Sequence, residues 1–455
     1  LVLIMISRFV DRREELEMLE KEWKSEGGKL IIMYGRRRIG KTRLLFEFIK
    51  NKKGAFYVAD DTSVQIQVDS LKRRLAELLN DDLLLKLQLN GWEQLFEYFS
   101  DKIPGERFYL IIDEFPYLIR ADRSILSVMQ RVWDFKLSKS KIFIVLSGSA
   151  MGIMSEAVLS YSSPLYGRRT RDMLIGELKL EHAMELLNRD LYSALQFYMI
   201  TGGVPEYINR ASIYAGPEDF IVNEFLSQYG YFYREPYFVI SQDFREPRIY
   251  FSVLNAIAFG NTRPTDIANF VGFNSREIYP YLENLIRLGF VQRKVPFMGN
   301  IRNGIYFIKD TMFDFWFNFT YRLKEEVEMG SATIDRSRLS SYFGKRFEIL
   351  LVEQISKRLI PEYTEFGSWW HRDREIDLVA SDGRKTAFIE CKWKNLSERE
   401  ARMILKELVR KAQEVDAEKR TYGIVAIKIE NKEELRRDGY YAFDLEDIGA
   451  YVQLS

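Results

Sequence analysis

KLIIMYGRRRIGKTRLLFEF, residues 29–48, is the stretch whose grammar decides the fold of the first third of the chain. KLIIMY is a short apolar run of the length of a buried strand. GRRRIGKT, Gly35 to Thr42, follows directly, and the residues after it continue with helical spacing. Strand, G-x-x-x-x-G-K-T, helix is the context a phosphate-binding loop requires. Gly35 and Gly40 let the backbone curl so that its N–H groups face phosphates. Arg36, Arg37, Arg38 and Ile39 fill the variable positions. Lys41 reaches the β- and γ-phosphates, and Thr42 offers its hydroxyl to magnesium. Arg43 follows in the helix, whose positive N-terminus faces the same anion. ATP with Mg2+ is therefore the expected ligand.

The partner of such a loop is a buried strand ending in acid. FYLIIDE, 108–114, supplies it. Asp113 is expected to hold magnesium, and Glu114 to polarise the attacking water. KIFIVLSGS, 141–149, is a further strand ending in small polar residues, with Ser147 or Ser149 expected near the γ-phosphate. SPLYGRRT, 163–170, offers Arg168 or Arg169 as an arginine finger. Alternating strands and helices from 29 to about 175 predict an open, mostly parallel α/β sheet.

Composition bounds the rest. At 455 residues the chain is long enough for three or four domains. Net charge is +1, so nucleic-acid binding would need local patches. One cysteine excludes an internal disulfide framework and fits a reducing cytoplasm. Two histidines disfavour a His-based zinc site, so any metal should sit on carboxylates, which suits Mg2+ or Mn2+. No run approaches the ~20 apolar residues of a membrane span. LVLIMIS at the start is short and has no basic leader, so it is not read as a signal peptide, and Met5 is a candidate start. The abundance of Glu, Lys and Arg leans towards a thermophile.

Residues 176–240 read as a helical lid containing the Gly-Pro turn TGGVPEY, 201–207. Residues 241–330 read as three helices and a hairpin, a winged helix-turn-helix. Its third helix, begun at Ser275, would offer Arg276, Asn284 and Arg287 to DNA, and its wing Arg293, Lys294 and Arg302. Pro280 is expected to kink that helix.

Residues 335–455 read as a last α/β domain. Its first helix, SSYFGKRFEILLVEQISKRL, carries Glu348 and Glu353. In DREIDLVASDGRKTAFIECKWKN, 373–395, two strands flank a turn. Side chains alternate, so Glu375 and Asp377 share one face, as do Glu390 and Lys392. With Gly383-Arg384 at the turn centre, Asp377 lies opposite Glu390 and Glu375 opposite Lys392. With Asp382-Gly383 there, Asp377 moves one diagonal step on the same face. Either way carboxylates and an ammonium converge within about 5–8 Å. Asp377 and Glu390 suit a divalent metal, Lys392 a water or a phosphate, and Glu348 is the best candidate for a third acid. A cross-strand ladder would avoid the paired acids, which favours a site. Cys391 reads as a buried apolar residue, and His371 as structural or surface.

In order, FVDRREEL (9–16), GRRRIGKT, LIIDE (110–114), SGS (147–149), LYGRR (165–169) and GGVPEY (202–207) resemble the archaeal ATPases of the STAND class, relatives of AAA+ proteins. The end of the chain resembles the domain of unknown function that often follows that ATPase. Its EID…ECK pattern is similar to the PD-(D/E)xK, restriction-endonuclease-like fold, with EID in place of a literal Pro-Asp. The resemblance implies an ATPase core over 1–175, with Arg12 and Glu15 at the adenine edge. It implies that Gly203 and Pro205 bring the lid onto the base, and that Asp377, Glu390 and Lys392 take the nuclease positions with Glu348 as the helix acid. The expected protein is an ATP-gated nuclease that binds DNA. The rivals are a non-cutting DNA- or protein-binding regulator and an ATP-driven assembly platform, and self-association fits any of them.

Overall fold

The computed structural model describes residues 9–452. LVLIMIS, with Met5, lies outside the described residues. The chain forms two compact units: residues up to Glu177 together with Gln242–Arg245, and Leu178–Ser241 together with Glu246 onward. The expected divisions at 176–240, 241–330 and 335–455 thus fall almost wholly within the second unit.

In the first unit β1 (Lys29–Tyr34), β2 (Gly54–Val58), β3 (Phe108–Asp113), β4 (Ile142–Gly148) and β5 (Arg171–Leu174) form one parallel sheet in the order β2-β3-β4-β1-β5. Every residue of β3 and β4 is buried. Leu30 and Ile32 join the main core, with Trp92, Phe96 and Phe108, and the alternate residues Ile31 and Met33 are equally shut off from solvent. Burial on both faces is why these strands read as unbroken apolar runs. β1 and β3 both flank β4 in parallel register, so the segments after all three leave from one edge of the sheet. That edge is where open α/β sheets bind ligands.

The second unit contains the winged helix. Helices Pro247–Ala258, Pro264–Val271 and Tyr279–Arg287 precede β6 (Val291–Lys294) and β7 (Ile305–Ile308), an antiparallel pair. Pro280 does not kink the third helix. The helix starts at Tyr279, with Pro280 in its first turn, where a missing N–H costs nothing. Ser275–Ile278 form a turn instead.

The same unit ends in a five-stranded mixed sheet of order β12-β11-β10-β9-β8. Its members are β8 (Glu365–His371), β9 (Arg374–Ser381), β10 (Lys385–Leu396), β11 (Lys419–Ile429) and β12 (Tyr441–Phe443). Helix Glu398–Lys411 lays Ala401, Leu405 and Leu408 on the sheet core. The long helix expected over residues 340–359 is interrupted. Arg336–Leu350 passes into a π turn, Leu351–Ile355, before Ser356–Leu359. The wing of the winged helix packs against β8. The Phe297 amide donates to the Ser368 carbonyl (2.8 Å), and Trp370 Nε1 donates to the Asn303 carbonyl (3.2 Å). A Cβ on Gly367 would sit 2.7 Å from that of Phe297, so the wing lies directly on this glycine.

Candidate functional sites

The phosphate loop leaves β1 and enters helix Lys41–Phe48. Its two glycines do different work. Gly40 holds a left-handed backbone at φ 92°, whereas Gly35 has ordinary φ but packs on β5's continuation, where a Cβ would meet the Ile175 carbonyl oxygen at 2.4 Å. Arg38 is also left-handed, at φ 66°. Lys41 is buried, and its ammonium donates to the Gly35 and Arg36 carbonyls at 2.8 and 2.9 Å. Burial lowers its pKa to about 8, against the pull of Glu114 and Asp113. An anionic ligand would therefore relieve a desolvated cation.

Thr42 Oγ1 donates to Asp113 Oδ2 at 2.6 Å, so the loop hydroxyl and the β3 carboxylate already meet. That hard-oxygen pair fits magnesium. Glu114 sits just beyond β3 in the left-handed region, at φ 52°. Such strain in a non-glycine residue persists where the surroundings fix it. Here Ser149 Oγ donates to both Glu114 oxygens, at 2.7 and 3.0 Å. Ser149, one of the two serines expected near the γ-phosphate, holds the acid here. Ser147 is wholly buried, and its hydroxyl has no hydrogen-bond partner among the described residues. Arg12 is buried too, and its guanidinium joins Glu15 (2.9 Å), the Ile39 carbonyl (3.2 Å) and the Gly176 carbonyl (2.6 Å). It buttresses the loop from outside.

The expected arginine finger is not assembled on the loop. Arg168 makes a bidentate pair with Asp134 and donates to the Pro164 and Tyr166 carbonyls. Arg169 pairs with Asp172 (3.7 Å) and donates to the Leu159 carbonyl. Both are spent on their own surroundings. Gly203 and Pro205 lie in the second unit. The Gly203 carbonyl accepts from Leu178 N, and Pro205 opens helix Pro205–Ser212.

The second site is the face shared by β9 and β10. Their printed register, Leu378 with Ile389, carried one step further sets Asp377 opposite Glu390. The turn is therefore centred on Gly383-Arg384, not on the Asp-Gly pair that turn preferences favour. Gly383 takes φ 84°, and Asp382 Oδ1 caps Arg384 N and Lys385 N. Asp377 and Glu390 are both buried. Lys392 Nζ donates to Glu390 (2.8 Å) and to Asp377 (3.3 Å), and Asp377 also accepts from the Cys391 amide (2.7 Å). Burial, then Glu390 and Glu348, push Asp377 up to about 8. Burial and Glu375 push Glu348 to about 7. Burial also raises Glu390, but Lys392, Asp377 and Lys411 bring it below the ordinary value. Cys391 is buried, as expected.

One member of this site has no sequence signal. Lys411, at the end of helix Glu398–Lys411, donates to the other Glu390 oxygen at 2.9 Å. Glu390 is thereby clamped by two ammonium groups. Among the described residues no three carboxylate, histidine or cysteine side chains stand close enough to hold a metal ion. Glu348 thus joins the cluster electrostatically without completing a metal triad.

Of the residues expected to face DNA, Arg276, Arg287, Arg293 and Arg302 are exposed. Asn284 is tied to Tyr250 (2.7 Å) and Arg287 (2.8 Å). Lys294 departs from expectation. It lies over the Phe307 ring and faces Glu353, Glu375 and Glu348, so the wing directs this charge towards the last domain.

Residues 9–211 match an ATPase domain predominantly from Archaea. Residues 316–404 match a family described as Archaea bacterial proteins of unknown function. The chain is 34% identical to uncharacterized protein MJECL04 of Methanocaldococcus jannaschii over 97% of its own length and 100% of that protein. It resembles in structure the Walker-type ATPase PABY2304 of Pyrococcus abyssi, with TM-score 0.48, 18% identity, and 68% of this chain and 96% of that one covered. It also resembles the STAND protein PH0952 of Pyrococcus horikoshii, which has a tetratricopeptide-repeat sensor. There the TM-score is 0.32 and the identity 16%, over 78% of this chain and 52% of that one.

Proposed function

The chain belongs to the archaeal P-loop ATPase family that joins such an ATPase domain to this C-terminal domain, and from that premise we propose that it is an ATP-hydrolysing switch acting on DNA. The observation that carries the hydrolytic reading is the continuous set Lys41, Thr42–Asp113 and Glu114–Ser149 at one edge of the sheet. Thr42 and Asp113 would hold magnesium, which supplies neutralising charge to the phosphates. Lys41 balances charge on the β- and γ-phosphates. Glu114 polarises the attacking water once one of its oxygens is released by Ser149, so Ser149 sets when the acid is available. The switch requires different contacts with ATP and ADP.

We assign metal-dependent phosphodiester cleavage to the face of Asp377, Glu390 and Lys392. Two opposed buried acids beside a lysine are costly as mere scaffold and suited to Mg2+ or Mn2+ with an activated water. A second reading, a DNA- or protein-binding regulator with a silent nuclease-like domain, is favoured by the Lys411 clamp on Glu390.

One assay separates these. ATP turnover and DNA cleavage are measured together with Mg2+ or Mn2+ on single-stranded, duplex and branched DNA. Glu114→Gln should retain ATP binding and lose turnover by about 10²-fold or more. Asp377→Ala should retain turnover and lose cleavage. DNA bound but never cut selects the regulator. Turnover that survives Lys41→Ala removes the phosphate-loop assignment.

A further inference from the structure

The first unit includes one segment from far along the chain, Gln242–Arg245. Phe244 is buried, and the Gln242 carbonyl accepts from Arg120 at 3.4 Å. Between them Asp243 brings a carboxylate to the phosphate loop, where it faces Arg36, Arg37, Lys41 and Arg120. Its Oδ1 is shut off from water and has no hydrogen-bond partner among the described residues. Burial raises its pKa to about 6 against the pull of those cations, and Oδ1 has no hydrogen bond among the described residues to hold it.

The loop is rich in cations. Arg36, Arg37, Arg38, Lys41 and Arg43 stand within nine residues, against Asp113 and Glu114. A triphosphate would bring several negative charges to Lys41 and its neighbours. A resident carboxylate cannot share those cations with a γ-phosphate without like-charge repulsion in a poorly solvated place.

We propose that Asp243 is a built-in competitor of the γ-phosphate: it occupies the cations of the loop until ATP displaces it, and its release frees segment 242–245. ADP, lacking the third phosphate, displaces it less. The segment therefore distinguishes the two nucleotides. This rests on the phosphate loop binding ATP, and it adds a residue that no motif of such loops contains.

The test is calorimetric titration of ATP and ADP, with magnesium, into the full chain and its Asp243→Asn and Asp243→Glu variants. Asp243→Asn is nearly isosteric. It should bind ATP about tenfold more tightly, with a smaller gain for ADP, and Asp243→Glu should retain the wild-type penalty. Wild-type binding that Asp243→Asn leaves unchanged or weakens overturns the role of Asp243 and leaves the nucleotide reading standing. No ATP binding by either protein removes both. In wild type, a non-hydrolysable ATP analogue should speed amide exchange across 242–245 more than ADP does. Equal exchange with both, or none above the free protein, overturns the displacement.

Discussion

Asp377 and Glu390 face each other across β9 and β10 with room for one proton. The two lysines settle where it goes: Glu390 stays ionised between Lys392 and Lys411, and Asp377 keeps the proton, raised to about 8 chiefly by burial. The unfolded chain gives up that proton near pH 4. Between about pH 4 and 8 the folded state thus binds more protons than the unfolded, and stability falls as the pH rises through that window. Thermal midpoints at pH 5, 6.5 and 8 in a chelating buffer should decline more steeply for wild type than for Asp377→Asn. Parallel curves would mean that Asp377 titrates as an ordinary carboxylate. The alternation of Glu375, Asp377, Glu390 and Lys392 was legible because the pleat has a period of two. Lys411 was not, since a helix end and a strand centre share no periodic relation. Asp243 was hidden for another reason: a lone acid at the end of a helix reads as solvated.

At the scale of elements, helix Glu398–Lys411 matters because its last residue closes on Glu390. It is started by a capping box, in which Ser397 Oγ accepts from Glu400 N and the Glu400 carboxylate accepts from Ser397 N. Ser397→Ala should cost about 1 kcal/mol of stability, read as a shift in the urea midpoint of the full chain. No shift would mean that the sheet contacts alone fix the helix. β1, β3 and β4 of the first sheet were plain in the sequence because burial on both faces leaves mostly apolar residues, whereas the short, half-exposed β2 and β5 were not. Nor were β8 and β12. EFGSWWH has a glycine and no clean alternation, with its irregular pairing between Gly367 and Trp369, and β12 has three residues, too few for a period. The π turn 351–355 was invisible because apolar spacing does not register one extra residue in a turn.

For the molecule as a whole, a net charge of +1 means that any DNA would have to be held by local patches. The winged helix has such charges, and they are not equivalent. Arg276 and Arg287 are exposed, while Lys294 is turned inward on Phe307. Arg276→Glu with Arg287→Glu should weaken duplex binding and flatten its dependence on salt, by about one unit of slope per lost phosphate contact. Lys294→Glu should leave DNA affinity unchanged and lower the thermal midpoint. A double variant that binds DNA like wild type would reassign this face to a protein partner. The order of motifs along the chain was legible because each motif carries its own local grammar. That the wing would dock on β8 was not, because nothing in a hairpin's sequence says which surface it will cover. This docking has a consequence for solubility. β8 is the outer strand of its sheet, and an open strand edge is a template on which further copies can add, chain upon chain. With Phe297 seated on Gly367 and bonded to Ser368, the wing acts as a guard against fibre growth as well as a limb of the winged helix.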